Sequence, residues 1–352
     1  MNRFDYHRPA TLAEALALGA TPGAAYLAAG TNLLDLMKLG VARPGVLVDV
    51  TRLPGLDRIE RLPDGATRIG AMVRNSDLAR DAGILRDYPA LAEAILAGAS
   101  AQLRNAATVG GNLMQKTRCR YFQDMASACN RRSPGAGCDA VGGVDEGMAI
   151  LGWSDACIAT HPSDFCVPLA ALDAVVEIAG PAGAREVPLT GFHHLPGLTP
   201  AQDTALAPGE LVTAIRLPPA AAGFRQHARY MKLRERTSYA FALVSVAAML
   251  RWEDGAILEA RLALGGVAAR PWRATEAEAL LAGAALGRDA FEAAARAALA
   301  DARPANGGEA KIELARRLIV RTLMLAAAGT PARIPALPAS PFAATEESLT
   351  HA

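Results

Sequence analysis

Apolar positions along the chain fall into short blocks that switch between helical spacing and strand-like alternation, which predicts a mixed fold. Thr11 and Glu14 have capping-box spacing ahead of the apolar run Leu12 to Leu18, so a helix starts near residue 11. A short strand, Tyr26 to Ala29, leads into the polar turn Gly30-Thr31-Asn32, a helical stretch from Leu33 to Leu39 and a second strand from Val46 to Val50. Gly40, Pro44 and Gly45 punctuate the last connection. A second unit opens with Ile59, a Pro-Asp-Gly turn at 63–65 and a strand from Thr67 to Val73. Ser76 is placed to cap a short helix containing Leu78 and Ala79, and Pro89 opens a longer helix that runs to Ala97.

Periodicity fails over residues 114–160, which are rich in Gly, Arg, Asn, Ser and Cys and read as an inserted loop. Regular structure resumes at Val167-Pro168-Leu169, and strands Ala174 to Ala179 and Glu186 to Leu189 flank a Pro-Ala-Gly turn as a hairpin. A third region begins near Phe224. Tyr230-Met231-Lys232 reads as extended, Ala240 to Trp252 and Ile257 to Val267 as an antiparallel pair, and Trp272 to Ala302 and Ile312 to Ala328 as helical. The expected fold class is α+β. The expected division is a first domain over 1–218, with lobes of about 1–55 and 56–218 and the insert at about 114–160. A smaller domain over 224–330 follows, then an extended or disordered tail over 331–352.

Hydrophobic residues make up 51% of the 352 and charged residues 20%, which is a globular composition. A net charge of +1 gives no argument for nucleic acid or an anionic membrane as partner. No stretch approaches the roughly 18 apolar residues of a membrane span. Glu14 interrupts the one candidate signal-peptide core, so the chain is expected to have no export signal of its own. It would be cytoplasmic, or periplasmic by co-export with a signal-bearing partner. All five cysteines, Cys119, Cys129, Cys138, Cys157 and Cys166, lie in one segment. Disulfides are usually spread to tie distant elements together, so this crowding suggests metal.

Two polar glycine turns carry candidate binding chemistry. Ala28-Ala29-Gly30-Thr31-Asn32-Leu33-Leu34 runs from strand to helix start, where free backbone N–H groups and the helix dipole favour an anion. Thr108-Val109-Gly110-Gly111-Asn112 offers the same chemistry about 80 residues later, and adjacent glycines let a ligand approach the backbone. Each alone also reads as an ordinary capped turn; as a pair they suit a diphosphate held between two lobes. Neither has the spacing of a dinucleotide fingerprint of the Rossmann type. With Ser163-Asp164 and Lys232, these segments resemble the ordered FAD signatures of the flavin domain of the xanthine dehydrogenase family of molybdenum hydroxylases, over roughly residues 3 to 330.

That resemblance implies a two-lobed FAD-binding domain of the PCMH/vanillyl-alcohol-oxidase-like type, followed by a smaller α+β domain. Tyr26, Leu27, Ala28, Ala29, Gly30, Thr31, Asn32, Leu33 and Leu34 would line the FAD from one lobe. Ala99, Thr108, Gly111 and Asn112 would contact it from the other, and Asp164 and Lys232 would complete the site, with Val212 a further neighbour. The usual acidic run after the lysine motif is replaced by Arg234-Glu235-Arg236-Thr237-Ser238-Tyr239. The cysteine-bearing loop resembles that of a subgroup of bacterial aldehyde oxidoreductases whose flavin subunit holds a [4Fe–4S] cluster there. Cys119, Cys129, Cys138 and Cys157 would be its ligands, and Cys166 would be packing. Lys116, Arg118, Arg120, Arg131 and Arg132 would lower the thiolate pKa values and offset the cluster's charge. Structural zinc, a disulfide or free thiols are the alternatives for the cysteines. The implied function is electron transfer in a heterotrimer. A molybdopterin-containing large subunit would oxidise an aldehyde or N-heterocycle, and a small subunit with two [2Fe–2S] clusters would pass electrons to FAD here and on to an external acceptor. No catalytic residue is expected in the chain. A self-contained FAD oxidase and a zinc-stabilised assembly module are the competing readings.

Overall fold

A computed structural model describes residues 1–144, 147–305 and 308–332. The tail expected over 331–352 therefore lies outside the described residues from 333 onward. Helix Leu12–Gly19 starts at Thr11, whose hydroxyl accepts the Glu14 N–H while the Glu14 carboxylate turns back to the Thr11 N–H. It covers a three-stranded parallel sheet with Val46–Asp49 between Asp5–His7 and Ala24–Leu27. The strand expected over Tyr26 to Ala29 thus ends at Leu27, and Ala28 and Ala29 belong to the turn.

The second sheet has five antiparallel strands in the order Ile59–Arg61, Thr67–Gly70, Leu211–Leu217, Val175–Gly180, Gly183–Pro188. The late strand Leu211–Leu217 sits in the middle of this order, so the chain leaves the sheet after Gly70 and rejoins it at Val175. Within that excursion lie helices Pro89–Ala97, Ala101–Ala106 and Val109–Leu113 and the whole cysteine insert. Ser76 does not cap its helix: it lies inside Asn75–Leu78, whose first position follows Arg74 with no side-chain cap.

The third sheet, in the order Trp272–Arg273, Ala256–Gly265, Val244–Glu253, Ala228–Leu233, is antiparallel. Every residue from Val244 to Leu250 is buried. Val246 and Leu250 pack on Ile319 and Leu323 of helix Glu309–Ala328, whereas Ala247 and Met249 enter the core that holds Phe165 and Leu169. A strand buried on both faces has no polar side to alternate with, which explains the weak periodicity there. The stretch expected to be helical from Trp272 begins instead with the two-residue strand, then breaks into helices Thr275–Leu281 and Arg288–Ala298 at Gly283, whose φ is +81°. Among the described residues no helix is long and apolar enough to cross a membrane.

The third sheet is bound to the second unit by buried polar contacts. Glu93, on helix Pro89–Ala97, accepts from Arg229 Nε at 2.9 Å and from the Tyr230 N–H at 2.5 Å. Burial pushes the Glu93 carboxyl up, and Arg229 opposes that shift.

Candidate functional site

A cleft of about 920 Å³ opens where these units meet. Of the residues expected at FAD, Thr31, Asn32, Ala99, Gly111, Asn112, Asp164 and Lys232 line it, brought together from five separate segments. The others frame it. Tyr26 and Leu27 end the strand, with the Tyr26 hydroxyl donating to Gly209 O at 2.8 Å. Gly30 turns with φ +73°, and a Cβ there would meet the Leu34 side chain at 2.6 Å. Leu33 and Leu34 open the next helix. Thr108 stands behind the second turn and accepts the Gly111 N–H at 3.2 Å. A Cβ on neighbouring Gly110 would lie 2.9 Å from Ala71 Cβ, so glycine lets this turn close on the strand. Val212 is buried within the five-stranded sheet.

The side chains at the wall are oriented. The Lys116 N–H donates to Asn32 Oδ1 at 2.8 Å, which leaves Asn32 Nδ2 buried without a partner. Asn112 Oδ1 accepts from the Ser163 hydroxyl and from Gln115 Nε2, both at 2.7 Å, so its amide nitrogen is left to donate. Asp164 accepts from Lys232 Nζ at 2.8 Å and from the Tyr230 hydroxyl at 2.6 Å. Burial above all, then Asp164, raises the Tyr230 phenol well above its ordinary value, so it stays protonated and donates. Ala99 holds φ +51°, uncommon for alanine, and Arg104 braces it by donating to Gly98 O at 2.6 Å. Amide donors and bare turn backbone facing one cleft are the donor set a dinucleotide diphosphate needs.

All five cysteines are free thiols. Cys119 packs beside Cys129 in one small apolar cluster and beside Cys138 in another, and the backbones of Cys129 and Cys138 form an isolated antiparallel β-bridge. Burial raises the Cys119 and Cys138 thiols, and the nearby Cys157 raises both further. Backbone N–H groups of Tyr121 and Phe122 face the Cys119 sulfur, and those of Ala140, Val141 and Ile158 face Cys138. The expectation that five surrounding cations lower these thiols is not met. Only Arg131 reaches a sulfur, with Nη2 4.0 Å from Cys157 Sγ. Lys116 and Arg131 pair with Asp203, and Arg132 holds the carbonyls of Tyr121, Phe122 and Ser127. Cys166 is fully buried in the largest core, its thiol pushed up to about 12 by burial. Among the described residues one trio of potential ligands, His161, Cys166 and His193, has its ligand atoms within 4.8 Å of one another. No three of the insert sulfurs meet that condition.

His161 and His193 stack with ring centroids 4.2 Å apart, and His193 Nε2 bonds Leu113 O at 3.0 Å. Burial lowers His193 to about 4 and His161 well below the ordinary value. An unfolded histidine takes up its proton near pH 6.5, so below that pH the unfolded chain binds protons that the native chain refuses. Stability is therefore full above about pH 6.5 and falls as pH drops toward 4, by about 3 kcal/mol from His193 alone. Urea midpoints measured from pH 7 to 4 should show this loss. His193→Gln, which keeps a donor for Leu113 O, should reduce the slope by roughly one proton; an unchanged slope would count against the assignment.

Residues 2–220 match the family described as FAD binding domain in molybdopterin dehydrogenase, and residues 228–328 match the CO dehydrogenase flavoprotein C-terminal domain. The chain belongs to the FAD-binding subunits of the molybdenum hydroxylases. It is 50% identical over 325 residues to the aldehyde oxidoreductase FAD-binding subunit PaoB of Escherichia coli (strain K12), covering 92% of this chain and 98% of that one. It is 30% identical to the carbon monoxide dehydrogenase medium chain of Hydrogenophaga pseudoflava, over 91% of this chain and 96% of that one. A solved carbon monoxide dehydrogenase from Hydrogenophaga pseudoflava superposes with a TM-score of 0.73 at 31% identity, over 93% of this chain and 98% of that one. This FAD subunit is thus part of an oxidoreductase with the expected fold: an FAD-binding domain followed by a flavoprotein C-terminal domain.

Gln115 and Arg118 line the cleft, and Tyr230 bonds Asp164 behind its wall. Their spacing from the glycine turns is irregular, so no sequence signal marks them for this place and only the fold brings them together.

Proposed function

We propose that this chain is the electron-transferring FAD subunit of a heteromeric molybdenum hydroxylase that oxidises aldehydes. Its partners would be a molybdopterin-containing large subunit and a small subunit with two [2Fe–2S] clusters. The observation that carries the reading is the convergence of Thr31, Asn32, Ala99, Gly111, Asn112, Asp164 and Lys232 on one cleft. The aldehyde preference rests on the 50% identity to an aldehyde oxidoreductase subunit. Bound FAD supplies the exchange between one-electron clusters and an external acceptor of one or two electrons. The protein's part is to hold the diphosphate at Thr31, Asn32, Gly111 and Asn112, and to fix the adjoining wall with Asp164 and Lys232.

The reading extends to a [4Fe–4S] cluster on Cys119, Cys129, Cys138 and Cys157. Four thiols share one neighbourhood, backbone N–H groups face at least two of the sulfurs, and such groups tune clusters of this kind. A single tetrahedral zinc would need its sulfurs about 3.8 Å apart, given bonds of about 2.3 Å. No three of the insert sulfurs gather within 4.8 Å of one another, which counts against a preformed zinc site.

The test is an absorption spectrum of anaerobically purified chain with iron, zinc and acid-labile sulfide analysis. Flavin bands with about four irons and four sulfides are expected, the iron lost on Cys→Ser substitution at 119, 129, 138 or 157 but retained in Cys166→Ala. Flavin with zinc, or with neither metal nor sulfide, would leave the FAD reading standing and overturn the cluster. A colourless chain would overturn both.

A further inference from the structure

Arg118, at the root of the cysteine insert, has no hydrogen-bond or ion-pair partner among the described residues, and its Nε is buried. The guanidinium lies 5.0 Å over the Phe241 ring, and the residue lines the same cleft as Thr31, Asn32 and Gly111. Three neighbouring insert cations are neutralised or capped internally: Lys116 and Arg131 by Asp203, Arg132 by three carbonyls. The Asp35 carboxylate acts on Arg118 from across the cleft without bonding it, and a half-buried cation with no bonded counter-charge is held at a cost unless an anion meets it. Asn32 Nδ2, another unpartnered buried donor at this wall, owes its orientation to the backbone of Lys116, two residues before Arg118. The next residue, Cys119, also lines the cleft and is the first cysteine of the quartet.

We propose that Arg118 is a ligand of the FAD diphosphate, and that through Lys116 and Arg118 the metal loading of the insert and the binding of FAD strengthen each other. The inference rests on the FAD and cluster reading above. A planar fork of N–H donors matches two phosphate oxygens at once, which a lone amide does not. If the cluster orders the insert root that presents Arg118, reciprocity requires that bound FAD stabilise the cluster by the same factor.

The full chain is stripped of flavin and titrated with FAD by fluorescence quenching, with riboflavin, which lacks the diphosphate, as comparison probe. Arg118→Gln should raise the FAD Kd roughly 10- to 100-fold and leave riboflavin binding as in wild type. Arg118→Lys should recover part of the loss. Both variants and wild type are also titrated iron-free, so that a variant that fails to load iron is compared at equal loading. Wild-type chain should bind FAD more tightly with iron than without, by roughly 5- to 150-fold, and FAD-saturated chain should yield iron to a chelator more slowly than flavin-free chain. FAD affinity in Arg118→Gln equal to wild type, or an equal loss for riboflavin, would overturn the diphosphate contact. FAD affinity indifferent to iron would overturn the coupling. Wild type that binds no FAD would overturn the underlying reading instead.

Discussion

Alanine in place of Asp164 should destabilise the flavin-free chain by about 3–5 kcal/mol, because it strands the Lys232 ammonium without a counter-charge in a buried site. The Asp164 and Lys232 side chains are 10% and 3% exposed, so water does little to replace the lost partner. The substitution also strips the acceptor from the Tyr230 hydroxyl. The double variant Asp164→Ala, Lys232→Met should recover much of that loss, since no buried charge is then left unpaired, while Ala97 O keeps its bond from Arg234. Urea unfolding of wild type, both single variants and the double variant completes the cycle. A double variant no more stable than Asp164→Ala would show that the ion pair is not what holds this wall. FAD titration separates roles: both Asp164 variants should bind flavin weakly even where stability returns.

A second large effect is expected at Lys311, on the inner face of helix Glu309–Ala328. Its Nζ donates to Met148 O at 2.6 Å, Gly266 O at 2.7 Å and Gly147 O at 3.1 Å. One ammonium thereby joins the last helix, the end of the insert and the third sheet, and the three residues it bonds all line the cleft. Lys311→Met preserves helix propensity and stem length but removes the donor from buried carbonyls. The expected loss is about 2–4 kcal/mol, read as a lower urea midpoint, with weaker FAD binding as this wall loosens. A midpoint within about 0.5 kcal/mol of wild type would mean that these carbonyls find other donors.

Local chemistry was legible in the sequence where the cause is local. The Thr11–Glu14 capping box, the hairpin of Val175–Gly180 with Gly183–Pro188, and the two glycine turns are each decided by a few adjacent residues. The strand over Val244–Glu253 was recognisable but blurred, because burial on both faces erases alternation. Partner choice across the fold was not legible. Nothing around Arg118 marks it as unpaired while Lys116 and Arg131 share Asp203, a residue more than 70 positions away. Lys311 reads locally as an ordinary helix charge, and only its three distant carbonyls make it a core residue. Five cations near the cysteines suggested a thiolate-stabilising shell, yet most are committed to carbonyls and carboxylates, a distinction that sequence distance does not encode.

The contact of Glu93 with Arg229 and the Tyr230 backbone bears on how such a subunit could be divided or recombined. A gene cut in the connection before Ala228 would give a front piece whose Glu93 carboxylate and apolar neighbours lose their cover, and a back piece with an unanswered guanidinium on an edge strand. Neither fragment would be a finished protein. The back half of one subunit would be exchanged for another's without loss only where residue 93 and residue 229 travel as a pair.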